Sequence, residues 1–317
     1  MKIVFLDSLA LGEGLDLDSF REIGDVKIYP SSTEGEIIER VADCDVAITN
    51  KLKLNKSNLE SAKNLKLICV TATGFDNIDI SYAKERGISV CNVVGYSTTN
   101  VAQLTAGFVL QLINKSKEYQ RSVSSGYYSE CGVANILSPI YREIDGMKWG
   151  IVGFGNIGRR VARVAEALGC DVLVNKREPV DDYQCVDIDT ICCECDIITI
   201  HTPLNDGTRG LINAERIESM KDGVILVNVA RGAVTDERAI TEAVKSGKIG
   251  GFACDVYSSE PFSKEHPFTE IMEMDNVLLT PHMAWGSLDA RVRLLDEVKE
   301  NIKAYFDGEV RNRVDLK

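Results

Sequence analysis

Three side chains that can bind an anion or transfer a proton stand just after apolar, strand-like runs in the second half of the chain. They are Arg231, Glu260 and His282. Open α/β sheets bind ligands at the carboxyl ends of their strands, so these side chains should lie at one edge. A guanidinium binds a carboxylate by two parallel hydrogen bonds, an imidazolium protonates a developing alkoxide, and a carboxylate orients the imidazole. The combination predicts reduction of a 2-oxo acid, or the reverse reaction.

The search for a proton carrier is short because the chain has three histidines. His201 ends a strand-like run ahead of Thr202 and Pro203, and we interpret it as packing on the cofactor side. His266 lies in a polar turn and is predicted to be solvated. His282 is therefore the candidate acid–base group. A lone strand-end arginine is usually part of a surface ion pair, so the functional interpretation depends on the joint position of these residues beside a glycine motif.

That motif is Gly153-Phe154-Gly155-Asn156-Ile157-Gly158, which follows a strand-like run and precedes a helical pattern. In this context it is typical of a dinucleotide site: Gly153 permits a tight turn, Gly155 lets the backbone approach a pyrophosphate, and Gly158 lets the helix pack on the strand. The alternative is a purely structural strand–helix turn. The residues expected to contact the cofactor at this sheet edge also include Asn156, Ile157, Thr202, Pro203, Val229 and Ala230.

The residue that should select the ribose is Asn175, 22 positions after Gly153, and it is followed by Lys176 and Arg177. An aspartate there would accept hydrogen bonds from a ribose 2′-hydroxyl and repel a 2′-phosphate. Asparagine removes the repulsion, and the two cations can bind a dianionic phosphate. The sequence thus favours NADP(H) over NAD(H), although basic residues after a strand are also common on solvated surfaces.

Composition excludes several classes of protein. The 36 Lys+Arg and 48 Asp+Glu residues give a net charge of −12, which disfavours a nucleic-acid partner. No apolar run approaches the roughly 18 residues of a membrane span. The first apolar run ends after four residues, too short for a signal-peptide core of about 7–15. We therefore expect a cytoplasmic protein without a membrane segment.

The chain has ten cysteines, three of them clustered at Cys192, Cys193 and Cys195. The cluster could ligate a metal, but no second Cys or His pair completes a tetrahedral set at the usual spacing. Reduced structural thiols are favoured, and no metal is expected.

The pattern of elements predicts an α/β protein with two doubly wound parallel-sheet domains. Five strand-like runs alternate with helical patterns in the first hundred residues, and six more follow residue 146. Between them, Asn100 with Gln103 suggests a capping box for a helix that is apolar around most of its circumference, as at a junction between domains or subunits. The polar stretch at 122–138 is predicted to form a loop or an arm. Ser287 is predicted to cap a last helix, whose apolar stripe is Leu288, Val292, Leu295, Ile302 and Phe306.

The sequence resembles the D-isomer-specific 2-hydroxyacid dehydrogenases over nearly its whole length. The resemblance is carried by the glycine motif at 153–158 and by the stretches 227–232, 255–261 and 280–282. The stretch at 95–103 resembles the glycerate dehydrogenase and hydroxypyruvate reductase branch most closely, although Asn175 departs from the acidic residue common in the family.

The resemblance implies a role for each matching residue. Arg231 would bind and polarise the substrate, and Glu260 would pair with His282, the acid–base group, which also contacts the substrate. Asp255 would contact the nicotinamide amide. The substrate carboxylate would meet the backbone amides of Thr73 and Gly74, with the loop at Lys51 bordering the substrate.

The resemblance also implies a Rossmann cofactor domain, residues 99–286, inserted in a flavodoxin-like substrate domain formed by 1–98 plus 287–317. It implies a homodimer joined through the cofactor domains, and a small 2-oxo or 2-hydroxy acid as substrate, with hydroxypyruvate or glyoxylate favoured. A dinucleotide-sensing binding protein of corepressor type is the alternative. Another Rossmann enzyme, such as a methyltransferase, would leave Arg231, Glu260 and His282 unexplained.

Overall fold

The computed structural model describes residues 1–316. The chain folds as two compact units, one formed by Met1–Ser97 with the segment from Trp285 onward, the other by Thr98–Ala284. We call them unit 1 and unit 2. The boundaries expected from the sequence, 98/99 and 286/287, lie within two residues of the divisions between these units.

The secondary structure alternates strands and helices through both units. The strands are β1 (Lys2–Phe5), β2 (Asp25–Ile28), β3 (Val46–Thr49), β4 (Leu67–Val70), β5 (Ser89–Cys91), β6 (Lys148–Val152), β7 (Asp171–Asn175), β8 (Gln184–Cys185), β9 (Ile197–Ile200), β10 (Val224–Asn228), β11 (Ile249–Cys254) and β12 (Val277–Leu279). The helices are α1 (Glu34–Val41), α2 (Lys56–Leu59), α3 (Ile80–Glu85), α4 (Thr98–Ile113), α5 (Ser116–Ser124), α6 (Tyr127–Glu130), α7 (Asn156–Ala167), α8 (Ile188–Glu194), α9 (Ala214–Ser219), α10 (Glu237–Ser246) and α11 (Leu288–Phe306). Within residues 1–316, no helix combines the length and the apolar character that crossing a bilayer requires.

Unit 1 is built on a five-stranded parallel sheet in the order β2-β1-β3-β4-β5. Every residue of β3 and β4 is buried, as expected for strands covered on both faces. The strand order reverses between β1 and β3, which makes the carboxyl ends of these strands the expected ligand edge.

Unit 2 is built on a seven-stranded parallel sheet in the order β12-β11-β10-β9-β6-β7-β8. This arrangement confirms the predicted fold class of two doubly wound parallel sheets. The sequence predicted six strands here, because the two-residue β8 is too short to show a periodic pattern.

The apolar helix α4 begins at Thr98, so the predicted capping box at Asn100 is wrong. Asn100 lies inside the helix, and its Nδ2 donates to the Ala284 carbonyl at 2.6 Å. Seven residues of α4 are buried inside unit 2, where the helix packs against α7, β10 and β11. The apolar circumference of α4 is thus explained largely within its own unit. The predicted loop at 122–138 instead includes the end of α5 and all of α6.

The C-terminal helix α11 begins at its predicted cap, because Ser287 Oγ accepts the Ala290 amide proton at 3.3 Å. It packs on β4 of unit 1 with a face that the sequence identified only in part. Leu288, Val292 and Phe306 of the predicted stripe are exposed, whereas the buried face includes Ala290, Leu294, Leu295, Val298 and Ile302. The stripe was misassigned because apolar residues occur on more than one face of this helix.

Replacing Leu294 by alanine should destabilise the protein by about 2–5 kcal/mol, because the side chain is fully buried and a cavity would remain. Val292→Ala is the matched control on the same helix. Val292 is 44% exposed, so its loss should change the free energy of unfolding by no more than about 0.5 kcal/mol. Urea unfolding followed by circular dichroism measures both, and a larger loss for Val292 than for Leu294 would contradict the observed orientation of α11.

Candidate active site

The predicted functional residues of unit 2 lie at the carboxyl edge of its sheet. The strand order reverses between β6 and β9. The glycine motif follows β6, and Thr202 with Pro203 follows β9. Arg231, Glu260 and His282 follow β10, β11 and β12, which are neighbours in the sheet. At this edge, the glycine motif lies where the strand order reverses, and Arg231, Glu260 and His282 follow the strands on one side of it.

The glycine motif forms a tight turn between β6 and α7. Gly153 adopts a φ of 93°, and a Cβ there would lie 2.6 Å from the Thr202 nitrogen, so only glycine fits. A Cβ on Gly158 would overlap the Gly153 carbonyl oxygen. By contrast, a Cβ on Gly155 would meet no protein atom within 4 Å. The turn is therefore closely packed at Gly153 and Gly158, and open at Gly155, the glycine expected to face a pyrophosphate.

The start of α7 supplies hydrogen-bond donors at this opening. The first helical bond runs from the Arg159 amide to the Gly155 carbonyl at 2.9 Å. The amides of Asn156, Ile157 and Gly158 therefore precede the helical ladder, and the positive end of the helix dipole adds to them. These features fit the phosphates of a dinucleotide.

The end of β7 carries no carboxylate. The carbonyl of Asn175 accepts the Gly153 amide proton at 3.0 Å, and its side-chain Nδ2 donates to the Val186 carbonyl at 3.0 Å. Lys176 is half-buried and Arg177 is exposed. The side chain of Asn175 is thus held by the backbone, and the two cations follow at the position expected of a ribose-selecting site.

Glu260 and His282 are brought together as predicted. Glu260 Oε2 lies 2.6 Å from His282 Nδ1, and Glu260 Oε1 accepts the Tyr257 amide proton at 3.0 Å. Each side chain is about one quarter exposed, at 28% for Glu260 and 25% for His282. With Nδ1 hydrogen-bonded to the carboxylate, Nε2 is the nitrogen suited to exchange a proton with a substrate.

His282 is held in a left-handed backbone conformation, with a φ of 52°. Non-glycine residues rarely adopt it, and it persists only where the surroundings enforce it. Here the fully buried carboxylate of Asp255 does so: it accepts the amide protons of Met283 and Ala284, each at 2.8 Å, and the Thr280 hydroxyl at 2.5 Å. Burial raises the pKa of the Asp255 carboxyl, while these bonds and the charge of His282 act against the rise.

Sequence reasoning missed this anchoring role of Asp255. The sequence held a signal for this role, because an aspartate that directly follows a buried strand must find hydrogen-bond donors nearby. The contact with nicotinamide that the resemblance implies for Asp255 stays a prediction.

Arg231 lies on the loop next to the one that carries Glu260. A Cβ on Gly232 would overlap the Tyr257 carbonyl carbon and the Ser258 nitrogen, so the two loops meet at a residue without a side chain. Within residues 1–316, the guanidinium of Arg231 makes one hydrogen bond, from Nη1 to the Ala230 carbonyl at 2.7 Å. Its remaining N–H groups are available to bind a carboxylate. Asn228 fixes the loop through the Ala230 amide and the Arg231 carbonyl, each at 3.0 Å, and Val229 and Ala230 are buried.

The other histidines are unsuited to proton transfer with a substrate. Burial lowers the pKa of His201 to about 3, so its ring is neutral at physiological pH, and its Nε2 lies 3.0 Å from Thr199 Oγ1. The prediction that His266 is solvated is wrong. Its side chain is buried, and both ring nitrogens have partners: Nε2 lies 3.0 Å from a Glu237 carboxylate oxygen, and Nδ1 accepts the Phe268 amide proton at 3.2 Å.

In unit 1, the residues assigned to the substrate by resemblance follow β3 and β4. The backbone amide of Lys51 donates to the buried Asp7 carboxylate at 2.8 Å. Thr73 is fixed by its hydroxyl, which donates to the Val93 carbonyl at 2.8 Å, and by its own carbonyl, which accepts from Asn92 at 2.7 Å. In the described part of the chain, neither the Thr73 amide nor the Gly74 amide donates a hydrogen bond.

The cysteine cluster has the character of packed thiols. Cys192 and Cys195 are buried, which raises the pKa of each to about 12, whereas Cys193 is exposed. Across residues 1–316, no group of three or more His, Cys, Asp or Glu side chains is placed to hold a metal ion.

Comparison with known proteins agrees with this geometry. Residues 106–284 match the family model described as D-isomer specific 2-hydroxyacid dehydrogenase, NAD binding domain. The chain is 36% identical to a glycerate dehydrogenase of Methylorubrum extorquens, over 99% of both chains. It is 32% identical to a hydroxypyruvate reductase of Blautia hydrogenotrophica, over 97% of this chain and 98% of that one.

Among solved structures, an acyclic imino acid reductase in complex with NADPH and D-Arg superposes with a TM-score of 0.85, at 29% identity, covering 99% of this chain and 100% of that one. The predicted family and branch are thereby confirmed. The chain belongs to the D-isomer-specific 2-hydroxyacid dehydrogenase family.

Proposed function

We propose that this dehydrogenase reduces hydroxypyruvate, and the smaller glyoxylate, to the corresponding 2-hydroxy acid, with NADPH as the preferred reductant. The observation that carries the proposal is the 2.6 Å contact between Glu260 and His282 on a sheet edge that also presents Arg231. The relatives named glycerate dehydrogenase and hydroxypyruvate reductase support this choice of substrate.

A bound nicotinamide cofactor supplies the hydride; the protein supplies charge and a proton. The guanidinium of Arg231 binds the substrate carboxylate and polarises the adjacent carbonyl. His282 Nε2 donates a proton to the oxygen that becomes the hydroxyl, and in the reverse direction accepts it. The Glu260 carboxylate holds Nδ1–H and stabilises the positive ring before the proton leaves. Asp255 keeps the His282 loop in place.

We also assign the Thr73 and Gly74 amides to the substrate carboxylate, since both are free of intramolecular acceptors in the described chain. Lys51 borders the substrate in this proposal, on a loop fixed by the buried Asp7. A dinucleotide-sensing binding protein of corepressor type is not favoured, because the relatives reported above are named as enzymes.

The preference for NADPH is argued from the end of β7. Asn175 brings no negative charge to the ribose, while Lys176 and Arg177 can attract the 2′-phosphate. The cofactor set further includes Gly153, Gly155, Asn156, Ile157, Gly158, Thr202, Pro203, Val229, Ala230 and Asp255.

We propose that the protein is a homodimer and that the segment 123–141 of unit 2 forms the interface with the partner subunit. This segment exposes seven large apolar or aromatic side chains, including Leu137 at 76% and Ile140 at 84%. An exposed apolar set of this size is typical of an interface between subunits.

The ten cysteines are all free thiols, which fits a reducing compartment such as the cytoplasm.

Replacing His282 by alanine should reduce kcat for hydroxypyruvate by about a hundredfold or more, the usual contribution of general acid catalysis. NADPH binding, measured by fluorescence titration, serves as the control and should change little. Turnover close to that of the wild type would show that another group supplies the proton.

Asn175→Asp should lower kcat/KM for NADPH by about tenfold or more, because the new carboxylate repels the 2′-phosphate. Asn175→Ala is the matched control, since it removes the bond to Val186 without adding charge. Steady-state kinetics with NADPH and NADH separate the two effects. A wild-type enzyme that prefers NADH tenfold would refute the proposed cofactor preference.

Ile140→Asp combined with Leu137→Asp should shift the sedimentation coefficient from dimer to monomer, because two charges cannot be buried in an apolar interface. Leu9→Asp is the control, since Leu9 is 72% exposed in unit 1. If the wild-type protein sediments as a monomer, or if the double variant stays dimeric, the segment 123–141 is not the interface.

A further inference from the structure

Glu237, the first residue of α10, lies under the loop that carries Glu260, and the mechanism above makes no use of it. Its Oε1 accepts the Ser258 amide proton at 2.8 Å. Its Oε2 accepts the Ser258 hydroxyl at 2.5 Å and lies 3.0 Å from His266 Nε2. One carboxylate thus binds both a backbone and a side-chain donor of Ser258, and connects them to a histidine eight residues further along the chain.

This carboxylate is buried, with only 10% of the Glu237 side chain and 6% of the His266 side chain exposed. Burying a carboxylate is costly unless hydrogen bonds and charge partners replace its water. The three donors do so, and the start of α10 adds the positive end of a helix dipole. The same three hydrogen bonds hold the Glu237 carboxylate in one position.

His266 is set in one tautomer by its other ring nitrogen. Because Nδ1 accepts the Phe268 amide proton, Nε2 carries the proton and donates to Glu237. The ring also packs among Tyr257, Phe262 and Phe268, with ring centroids 5.9, 4.7 and 5.0 Å away. The Glu237 carboxylate is therefore held on one side by a rigid aromatic cluster and binds Ser258 on the other.

Ser258, which Glu237 binds, is next in the chain to Tyr257, and Tyr257 is hydrogen-bonded to the acid–base pair. The Tyr257 amide, one residue before Ser258, donates to Glu260 Oε1, and Glu260 Oε2 binds His282. The same Tyr257–Ser258 peptide touches Gly232, the neighbour of Arg231. A displacement of this peptide would move the glutamate that orients His282 and the loop that presents Arg231.

We propose that Glu237 is a positioning residue for the reaction: through Ser258 it holds the Tyr257–Ser258 peptide, and thereby keeps Glu260 at hydrogen-bond distance from His282. The inference rests on the proposed function, because it takes Glu260 and His282 as the acid–base pair. Ser258 and His266 are the donors through which it acts.

The test is Glu237→Gln, with Glu242→Gln as the matched control on the same helix. Glutamine has one carbonyl oxygen for three donors, so at least one bond becomes a contact between two donors. Glu242 is exposed and contacts Arg238, so its change makes the same chemical substitution without touching the loop. We expect kcat for hydroxypyruvate to fall about tenfold in Glu237→Gln, a typical effect of losing a hydrogen bond to a charged group. The KM for NADPH should stay within about twofold, and Glu242→Gln should behave as the wild type.

A second measurement reads the positioning directly, without turnover. The ¹⁵N shifts of a neutral imidazole report which nitrogen carries the proton, and three histidines make assignment practical. In the wild type, at a pH high enough that the His282 ring is neutral, its one proton should lie on Nδ1, facing Glu260; the Nε2 proton that the mechanism transfers is the second one, carried by the charged ring. In Glu237→Gln the signals should move toward the Nε2–H tautomer, while Glu242→Gln leaves them unchanged.

Ser258→Ala removes one of the three donors and is the milder variant if Glu237→Gln fails to fold, as judged by circular dichroism. It should lower kcat a few-fold, and adding it to Glu237→Gln should cost less than the product of the two separate effects, since both act on one peptide. Unchanged kcat and unchanged His282 shifts in the folded variants would overturn the proposal. If the wild type reduces no 2-oxo acid, the proposed function fails, whereas the His282 shifts still decide whether Glu237 positions the pair.

Discussion

The buried carboxylate of Asp255 is the interaction on which the site depends. Asp255 directly follows β11 and is fully buried, so it must take its hydrogen-bond donors from the protein, and it takes them from the segment 280–284. Meeting that requirement bends the chain after β12 and places His282 in a conformation that it would not adopt alone. The imidazole then faces Glu260. A buried carboxyl group that takes its donors from the segment 280–284 thus determines the direction in which the His282 ring points.

Around this anchor, unit 2 concentrates its polar groups on one edge. Glu260 is bound by a backbone amide on one oxygen and by His282 on the other, while Arg231 keeps most of its donors for a ligand. Fixed donors and charges of this kind need little rearrangement when a substrate develops negative charge. The Gly153 turn supplies amides at the order reversal of the same sheet.

Much of this could be predicted from sequence, and for identifiable reasons. The alternation of strands and helices in both units could be predicted because short apolar runs, such as those that form β3 and β4, stand between helical patterns. The contact between Glu260 and His282 follows from parallel strands ending at one edge. The misses involve long-range partners: Asn100 has cap chemistry but binds Ala284, and His266 is next to a proline yet is buried against Glu237. A pattern within one segment holds no information on a partner that far along the chain. The face of α11 was misassigned because only packing on β4 decides between its apolar residues.

The contact at Gly232 sets a limit on how this sequence can vary. The loop that carries Arg231 and the loop that carries Glu260 approach so closely at Gly232 that the smallest side chain would force them apart. The absence of a side chain at Gly232 is therefore as necessary to the arrangement of this edge as the Arg231 side chain beside it. No other amino acid fits at position 232 unless the loop at Tyr257 and Ser258 shifts as well. Substitutions in these two segments should therefore be coupled in evolution, although the segments share no sequence pattern.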